Sequence, residues 1–247
     1  MEYFDLNGEN KDPIFALVYG PSGSGKTHFL GTLGELGTVL FIDIDKGIKT
    51  LQSATKLKPF LDNITVVDFQ YFKDLDVAYK HVMANDPVKW NKLLKRDIVK
   101  KPFDWIVWDT WSEIQWFMMQ ELRTKENLAG TGIDFRKNIQ IQHWGAMTDL
   151  NKLAIQELRK CPVNQVFTMQ EVLIKDELSG QIFGGPAIHG KMVQEMPVFF
   201  DVVAYTYVNL QGKQCLSTKP KQRWTAKTRL KEGAEYADPT AKEVFSF

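Results

Sequence analysis

The chain has 247 residues, of which 44% are hydrophobic and 25% charged, and its formal net charge is only +1. These are ordinary globular values, so the composition excludes an intrinsically disordered chain and a fibrous repeat. No apolar run approaches the roughly 20 residues that a bilayer-spanning helix needs. The length predicts a single domain over residues 1–247, with a short lead-in at 1–13 and a C-terminal tail at 232–247.

The two cysteines, Cys161 and Cys215, have no paired metal-binding spacing. Because no secretory leader is recognisable, they indicate reduced thiols in a cytoplasmic protein. The sequence therefore predicts no disulfide bond and no membrane partner.

Short apolar segments alternate with helical patterns along the chain, which is typical of an α/β fold with a mostly parallel sheet flanked by helices. The predicted strands, in chain order, are residues 14–19, 38–43, 64–69, 105–109, 164–169 and 199–208. The predicted helices are residues 26–33, 74–84, a segment that ends near 122, and 144–158. Two glycine-containing segments, 124–137 and 171–190, fit neither pattern and are predicted to be loops.

The strongest chemical signal is GPSGSGKT at residues 20–27, which matches the P-loop pattern G-x-x-x-x-G-K-[ST]. Glycines let the backbone wrap a phosphate so that successive N–H groups point at the anion. Lys26 is expected to reach the β- and γ-phosphates, and Thr27 to ligate Mg²⁺. A glycine turn without a ligand is disfavoured, because a buried strand precedes the segment and a helix pattern follows it. The predicted nucleotide-binding residues are Gly20, Pro21, Ser22, Gly23, Ser24, Gly25, Lys26, Thr27 and His28.

A P-loop needs a carboxylate at the end of a neighbouring strand, and Asp109 of the segment WIVWD suits this position. A buried strand that ends on an unpaired Asp is costly unless the charge faces a cation or solvent. The competing interpretation is helix capping, since Thr110 could equally cap the helix that begins near Trp111. Thr27 and Asp109 are therefore the predicted metal ligands.

The strand after the P-loop helix ends in FIDID, and at this point the chain resembles the RecA-type recombinase superfamily. In that family the strand ends in F-I-D-x-E, and its final acid activates water. The resemblance implies Asp45 as the base, with one methylene fewer than the usual Glu, and it leaves Asp43 as a second acid or a structural residue. Gln170, at the end of FTMQ, matches the polar residue with which the family senses the γ-phosphate.

In RecA-like proteins two loops bind single-stranded DNA: the one after the helix that follows the Mg²⁺-binding Asp, and the one after this Gln. They correspond here to residues 124–137 and 171–190. Basic side chains in and beside them are the implied phosphate contacts, and aromatic ones the implied base contacts. A solvated or packing role is the alternative for each of them. The residues are Arg136, Lys137, Lys175, Lys191, Phe135, Phe183 and His189.

The segment RWTAKTR at 223–229 resembles the basic K-x-[KR] strand by which RecA-like subunits reach the γ-phosphate of a neighbour. A cation delivered there would stabilise charge that develops in the transition state. The alternative is a solvated edge strand that its basic residues protect from aggregation. Alternation along a strand predicts one shared face for Arg223, Thr225, Lys227 and Arg229.

The order GPSGSGKT, FIDID, IVWDT, TMQE, GGPAIHGKM and KTR is similar to that of small phage-encoded RecA-like ATPases associated with single-strand annealing recombination, and it covers residues 14–230. The resemblance implies a RecA-like P-loop NTPase core that uses ATP and Mg²⁺. It implies single-stranded DNA and further copies of the chain as partners, and it leaves a single-strand-binding protein open. The implied function is DNA-stimulated ATP hydrolysis that promotes annealing or strand exchange in a bacterial cytoplasm. The implied catalytic residues are Lys26, Asp45, Asp109, Gln170, Lys227 and Arg229.

Two other functions are compatible with a P-loop. A small-molecule P-loop kinase generally carries an arginine-rich lid over its acceptor site, and only Arg123 and Arg136 fall in the middle of this chain. An ATP-switched loader or adaptor for a replicative helicase would bind ATP tightly and fail to hydrolyse it.

Overall fold

The computed structural model describes residues 12–125, 139, 141–175 and 180–246. The strands are β1 (Phe15–Tyr19), β2 (Val39–Asp43), β3 (Ile64–Asp68), β4 (Trp105–Asp109), β5 (Asn164–Met169), β6 (Glu171–Lys175), β7 (Ile182–Pro186), β8 (Val202–Val208), β9 (Gln214–Ser217), β10 (Lys227–Thr228) and β11 (Glu235–Ala237). The α-helices are α1 (Lys26–Gly31), α2 (Lys49–Ser53), α3 (Lys73–Ala84), α4 (Pro87–Leu94), α5 (Trp111–Lys125), α6 (Ile141–Leu158), α7 (Met192–Glu195) and α8 (Ala241–Phe245). Short 3₁₀ helices cover Thr32–Glu35, Thr55–Asn63 and Met196–Phe199.

Nine strands form one sheet in the order β11-β9-β8-β1-β5-β4-β2-β3, with β10 paired to β8. The neighbouring strands from β8 to β3 are all parallel, whereas β9 and β10 run antiparallel to β8. The predicted α/β fold with a mostly parallel sheet flanked by helices is thus confirmed. Because the carboxyl ends of parallel strands share one edge, β1, β2, β4 and β5 deliver their following residues to a common place.

Hydrophobic side chains pack against both faces of the sheet. Strand β1 alternates between them, with Leu17 and Tyr19 on the face covered by α5 and α6, and Ala16 and Val18 on the face covered by α1 and α8. Each fully buried Leu or Phe contributes about 1.5–3 kcal/mol to folding. This two-sided burial explains why the strand reads as a continuous apolar run rather than as an alternating one.

The segment 171–190 was predicted to be a loop, and that prediction is wrong. Its first half, β6, pairs antiparallel with β7 from Glu171 opposite Pro186 to Lys175 opposite Ile182. The Gly-Gly-Pro signal lies in the returning strand β7 instead of in irregular chain. The predicted strand 199–208 also starts later than expected, because Phe199 ends a 3₁₀ helix and β8 begins at Val202.

The predicted loop 124–137 begins inside α5, which extends to Lys125. Its other residues, among them Phe135, Arg136 and Lys137, lie outside the described residues. Residues 232–247, expected to form a tail, contribute β11, which pairs with β9, and α8, which packs under the sheet. None of the helices in the described ranges is long and apolar enough to cross a membrane.

Candidate functional site

The P-loop leaves β1 at Gly20 and enters α1 at Lys26. A methyl group on Gly20 would lie 2.2 Å from the Thr206 carbonyl oxygen, so only glycine lets the loop pass this close to β8. Gly25 adopts a left-handed φ of 91°, a conformation that a side chain disfavours. Ser24 Oγ lies 2.7 Å from Thr206 Oγ1, within hydrogen-bond distance. The loop is therefore held from behind by β8, while Ser22 and Gly23 form its exposed tip.

The Lys26 side chain is buried at the mouth of this loop. Its Nζ donates hydrogen bonds to the carbonyl oxygens of Gly20 and Pro21, each at 2.9 Å, and to Gln170 Oε1 at 3.3 Å. Burial lowers the Lys26 pKa, while the nearby carboxylates of Asp109 and Asp45 act to raise it. The ammonium group is thus held where a polyphosphate in the loop would meet it.

Asp109 ends β4 directly beside the first turn of α1. Its Oδ2 accepts a hydrogen bond from Thr27 Oγ1 at 2.8 Å, and its Oδ1 accepts one from Thr168 Oγ1. Burial raises the Asp109 pKa to about 6; the Asp45 carboxylate also raises it, and the two hydroxyl donors oppose the shift. The peptide bond between Asp109 and Thr110 is cis.

The adjoining oxygens of Thr27 and Asp109 fit a magnesium ion, which prefers oxygen ligands and usually keeps waters and phosphate oxygens in its shell. Within the described ranges no group of three or more His, Cys, Asp or Glu side chains is arranged to hold a metal. A cation at this place would therefore be held by Thr27 and Asp109 together with a phosphate and water. When bound, it would neutralise part of the charge of the β- and γ-phosphates.

Two acids with different environments follow β2. Asp43 is buried, faces Asp109 across the β2–β4 ladder, and accepts a hydrogen bond from the Gly47 N–H at 2.9 Å. Burial raises the Asp43 pKa. Asp45 is exposed and also accepts from the Gly47 N–H, at 3.0 Å, while its charge acts on both Lys26 and Asp109. Asp43 thus braces the turn, and Asp45 is the exposed acid whose charge acts on the P-loop lysine and on Asp109.

Gln170 connects the P-loop to the β6–β7 hairpin. Its side chain accepts the hydrogen bond from Lys26, and its main-chain oxygen accepts one from the Ala187 N–H at 2.7 Å. Its own N–H donates to Ser112 Oγ at 3.1 Å, and that hydroxyl donates to the Ala187 carbonyl at 3.1 Å. Gln170, which touches Lys26, thus lies immediately before the first strand of the hairpin. It is also hydrogen-bonded to Ala187, immediately after the second strand.

A family model described as an AAA domain matches residues 12–230 of the sequence. The chain belongs to this AAA domain family. Membership makes it an ATPase domain that binds nucleotide, which agrees with the P-loop geometry. No curated protein sequence matches the chain. A solved RadB recombinase is similar over 91% of this chain and 86% of that chain, at 14% sequence identity and a TM-score of 0.48, and a similarity at this level carries no inference about function.

The predicted basic strand at 223–229 does not form one continuous strand in the AAA domain. Residues Lys221 to Trp224 form a tight turn, with Gln222 at a φ of 52°, and only Lys227–Thr228 pairs with β8. The prediction that Arg223, Thr225, Lys227 and Arg229 share one strand face is therefore wrong, because a turn separates Arg223 from the strand.

Lys227 and Arg229 lie near the start of β8, at the end of the strand away from their own P-loop. Lys227 pairs with Val203, whereas Tyr205 is the β8 residue level with Tyr19, just before the P-loop. Arg229 Nη1 contacts Asp201 Oδ1 at 3.2 Å, and Arg159 contacts the same oxygen at 2.8 Å. These two basic residues are thus not brought together with Lys26, Thr27, Asp45, Asp109 and Gln170.

Of the predicted DNA contacts, four lie in the described residues of the AAA domain. Lys175 and Lys191 are exposed near the hairpin ends, and Phe183 on β7 is half-buried. The exposed His189 ring stacks on Trp144 with a centroid distance of 4.2 Å and an interplanar angle of 27°. Partial burial of the ring lowers the His189 pKa, which favours its neutral form.

Sequence reasoning missed the residues that support the site from other strands. Thr168 holds Asp109, Thr206 backs the P-loop, and Ser112 positions Gln170. A polar residue within the apolar run VFTM was the only local sign of Thr168. Thr206 and Ser112 carry no such sign, since their roles depend on which strands become neighbours.

Proposed function

We propose that this AAA domain is a Mg²⁺-dependent ATPase of the phage RecA-like type, which binds single-stranded DNA, assembles on it with copies of itself, and promotes annealing or strand exchange. The observation that carries the proposal is the contact between Lys26 and Gln170. Gln170 also precedes the β6–β7 hairpin and is bonded to its far end. One residue therefore connects the phosphate-binding loop with the segment that the resemblance implies in DNA binding.

The proposed chemistry assigns a separate task to each residue around the P-loop. Lys26 and the loop N–H groups bind the phosphates, and Asp109 and Thr27 hold the cation. Asp45 orients the attacking water and accepts its proton, for which an exposed carboxylate beside the loop is suited. Gln170 contacts the γ-phosphate and loses that contact when the bond is broken.

The proposed DNA surface is the hairpin side of the site. Lys175 and Lys191 supply exposed positive charge for the phosphates of the strand. The His189 and Trp144 pair presents an aromatic stack, and base stacking on aromatic rings is worth about 1–3 kcal/mol per base. Because Gln170 is bonded to Ala187, two residues before His189, a change at the phosphate has a short path to this surface.

Assembly is proposed from the position of the basic pair. Lys227 and Arg229 lie at the opposite end of β8 from their own P-loop, and this supports a role toward the nucleotide of a neighbouring subunit. Burial lowers the Lys227 pKa, and the charge of Arg229 adds to this effect. A cation with a destabilised charge gains most when a phosphate is brought to it.

The proposal is tested by measuring ATP hydrolysis without nucleic acid, with single-stranded DNA and with duplex DNA. We expect single strands to raise the rate, duplex to raise it less, and Lys26→Ala to abolish it. Annealing of complementary oligonucleotides is measured in parallel with and without ATP. An ATP hydrolysis rate that neither form of DNA changes would contradict the proposal. Phosphoryl transfer to a small acceptor would indicate a kinase. Tight ATP binding without turnover, together with capture of a helicase, would indicate a helicase loader.

A further inference from the structure

A cavity of about 340 Å³ lies beside α1, next to the P-loop. Ser24, Gly25 and His28 line one side of it, and Gln214 and Asp238 line another. The Gln214 amide group packs directly on the backbone of Gly25, since a methyl group there would lie 2.4 Å from Gln214 Cδ. The cavity therefore opens from the phosphate-binding loop itself.

The sheet order fixes the direction in which a nucleotide lies on the loop. The groups around Lys26 that suit a γ-phosphate, Asp109 and Gln170, follow β4 and β5 on one side of β1. Gln214 belongs to β9, beyond β8 on the other side of β1. A triphosphate with its γ end near Gln170 therefore points its ribose and base toward the cavity. His28, one residue after Thr27, lies at this end of the loop.

The cavity offers both polar and apolar groups. Phe29, Phe60 and Pro239 supply apolar surface, and charged groups come from Lys56 and Asp238. His28 lines the same cavity as these two residues, and both charges act on its ring. Burial lowers the His28 pKa, with Lys56 adding to the shift, so the ring is neutral at pH 7. A neutral ring between a donor and an acceptor suits an uncharged heterocycle.

The Asp238 wall is held in place by the residues around it. The Asp238 N–H donates to the Gln214 carbonyl at 2.7 Å, and the residue adopts a φ of 49°. Three residues later, the Ala241 N–H donates to Thr32 Oγ1 at 2.7 Å, which ties α8 to the end of the P-loop helix. Phe245 of α8 then packs against Phe29, with ring centroids 5.9 Å apart. The main chain that carries the exposed Asp238 carboxylate is therefore held in a preorganised wall.

We propose that this cavity is the nucleobase site and that Asp238 recognises adenine by accepting a hydrogen bond from its 6-amino group. His28 contacts the face of the base, and Lys56 donates to a ring nitrogen. The assignment rests on the proposed function insofar as ATP must occupy the P-loop, and adenine follows from the ATPase family to which the chain belongs. It does not depend on DNA binding.

The test compares four probes as magnesium complexes: ATP, GTP, purine riboside triphosphate, which is ATP without the 6-amino group, and inorganic tripolyphosphate. Dissociation constants are measured calorimetrically for the wild type, Asp238→Asn, Asp238→Ala and His28→Ala. We expect the wild type to bind ATP about tenfold or more tightly than purine riboside triphosphate, as for a hydrogen bond to a charged group. Asp238→Ala removes the acceptor and should reduce this ratio to near one, whereas Asp238→Asn keeps an uncharged acceptor oxygen and should lower the ratio only in part. Both variants should leave tripolyphosphate binding unchanged. His28→Ala should weaken the binding of ATP and of purine riboside triphosphate and leave tripolyphosphate binding unchanged.

Asp62→Asn is the matched control, because Asp62 is an exposed acid on the Thr55–Asn63 helix outside the cavity, and its ratio should equal that of the wild type. Tripolyphosphate binding also reports whether each variant is folded. An unchanged ratio in Asp238→Ala, or a wild type that prefers GTP, would overturn the assignment. A wild type that binds no nucleotide would overturn the proposed function as well, whereas ATP binding with DNA-independent turnover would overturn only the recombination proposal.

Discussion

The Thr27 hydroxyl donates a hydrogen bond to Asp109 Oδ2 at 2.8 Å, and this bond joins the P-loop helix to the end of β4. The contact requires a carboxyl group that is almost fully buried, and burial is the main reason why the Asp109 pKa rises to about 6. Asp109 must be ionised to bind a cation, but its buried negative charge destabilises the folded protein when no nucleotide is bound.

The first prediction concerns Asp109→Asn. Because the folded-state pKa is raised from 3.8 to about 6, the contribution of this group to stability is present below pH 4 and is lost as the pH rises through 6. Two pKa units correspond to about 3 kcal/mol. We compare the free energy of unfolding of Asp109→Asn with that of the wild type, both without nucleotide. The difference should shift in favour of the variant by up to about 3 kcal/mol between pH 4 and pH 8.

This is measured by denaturant unfolding of both proteins between pH 4 and 8, together with ATP hydrolysis at pH 8, which the variant should lose. Asp104→Asn is the control, because the pKa of Asp104 is lowered in the folded protein. Its stability relative to the wild type should therefore fall as the pH rises, which is the opposite direction. Equal pH dependence of Asp109→Asn and the wild type would contradict the prediction.

The second prediction concerns Asp45. Asp45→Asn should lower the ATP turnover rate about 10²-fold or more, because general-base catalysis contributes about 10²–10⁴-fold, and it should leave the ATP dissociation constant nearly unchanged. Asp45→Glu should retain activity, since it restores the acid usual in the family. Steady-state kinetics and ATP binding separate the two effects. Turnover that survives Asp45→Asn would exclude Asp45 as the base.

The third prediction concerns two glycines of the P-loop. Gly20→Ala should abolish nucleotide binding and lower the thermal midpoint, because its methyl group would lie 2.2 Å from the Thr206 carbonyl. Gly23→Ala is the matched control: no atom lies within 4 Å of its added methyl, and only a φ of 78° opposes it, at about 1–2 kcal/mol. Thermal melts and ATP titrations compare the two. Equal losses of thermal stability in the two variants would mean that the approach of Gly20 to β8 does not matter.

The fourth prediction concerns Gln170. Gln170→Ala should remove most of the DNA stimulation of ATP hydrolysis while ATP affinity changes little, because the side chain touches Lys26 whereas the hairpin contacts use the main chain. Gln194→Ala, at an exposed position of α7, serves as the control. Rates with and without single-stranded DNA give the result. Stimulation that persists in Gln170→Ala would argue against coupling through this residue.

The fifth prediction tests whether Lys227 acts in a neighbouring subunit. Lys26→Ala and Lys227→Ala should each be inactive alone, but their mixture should regain part of the DNA-stimulated rate, because one variant keeps the P-loop and the other keeps the cation. Mixing Lys26→Ala with Asp109→Asn should restore nothing, since both changes affect the same nucleotide site. A mixture of the first pair without activity would disprove action between subunits.

Local signals were enough to predict the parts of the site that are continuous in the sequence. The P-loop is a glycine pattern between an apolar run and a helix, and Asp109 ends another apolar run. The supporting groups were not predictable in this way. Ser24 and Thr206 are 182 positions apart, and only the placement of β8 beside β1 makes them neighbours.

The errors have the same physical origin. The hairpin β6–β7 is marked by glycines that also suit an irregular loop, and the pairing of Leu173 with Gly184 is decided by contacts beyond the hairpin. Trp224, for example, packs so closely on Gly184 that a methyl group there would lie 2.0 Å from its ring. The same packing accompanies the turn at Lys221–Trp224 that interrupts the predicted basic strand.

The bond between Ala241 and Thr32 spans 209 positions. During synthesis on the ribosome, Phe29 cannot make its ring contact with Phe245 until Phe245 has been synthesised, and contacts this distant in sequence form slowly. Until α8 docks, part of the apolar surface beside the phosphate loop stays uncovered, and such surface makes a folding intermediate prone to aggregation.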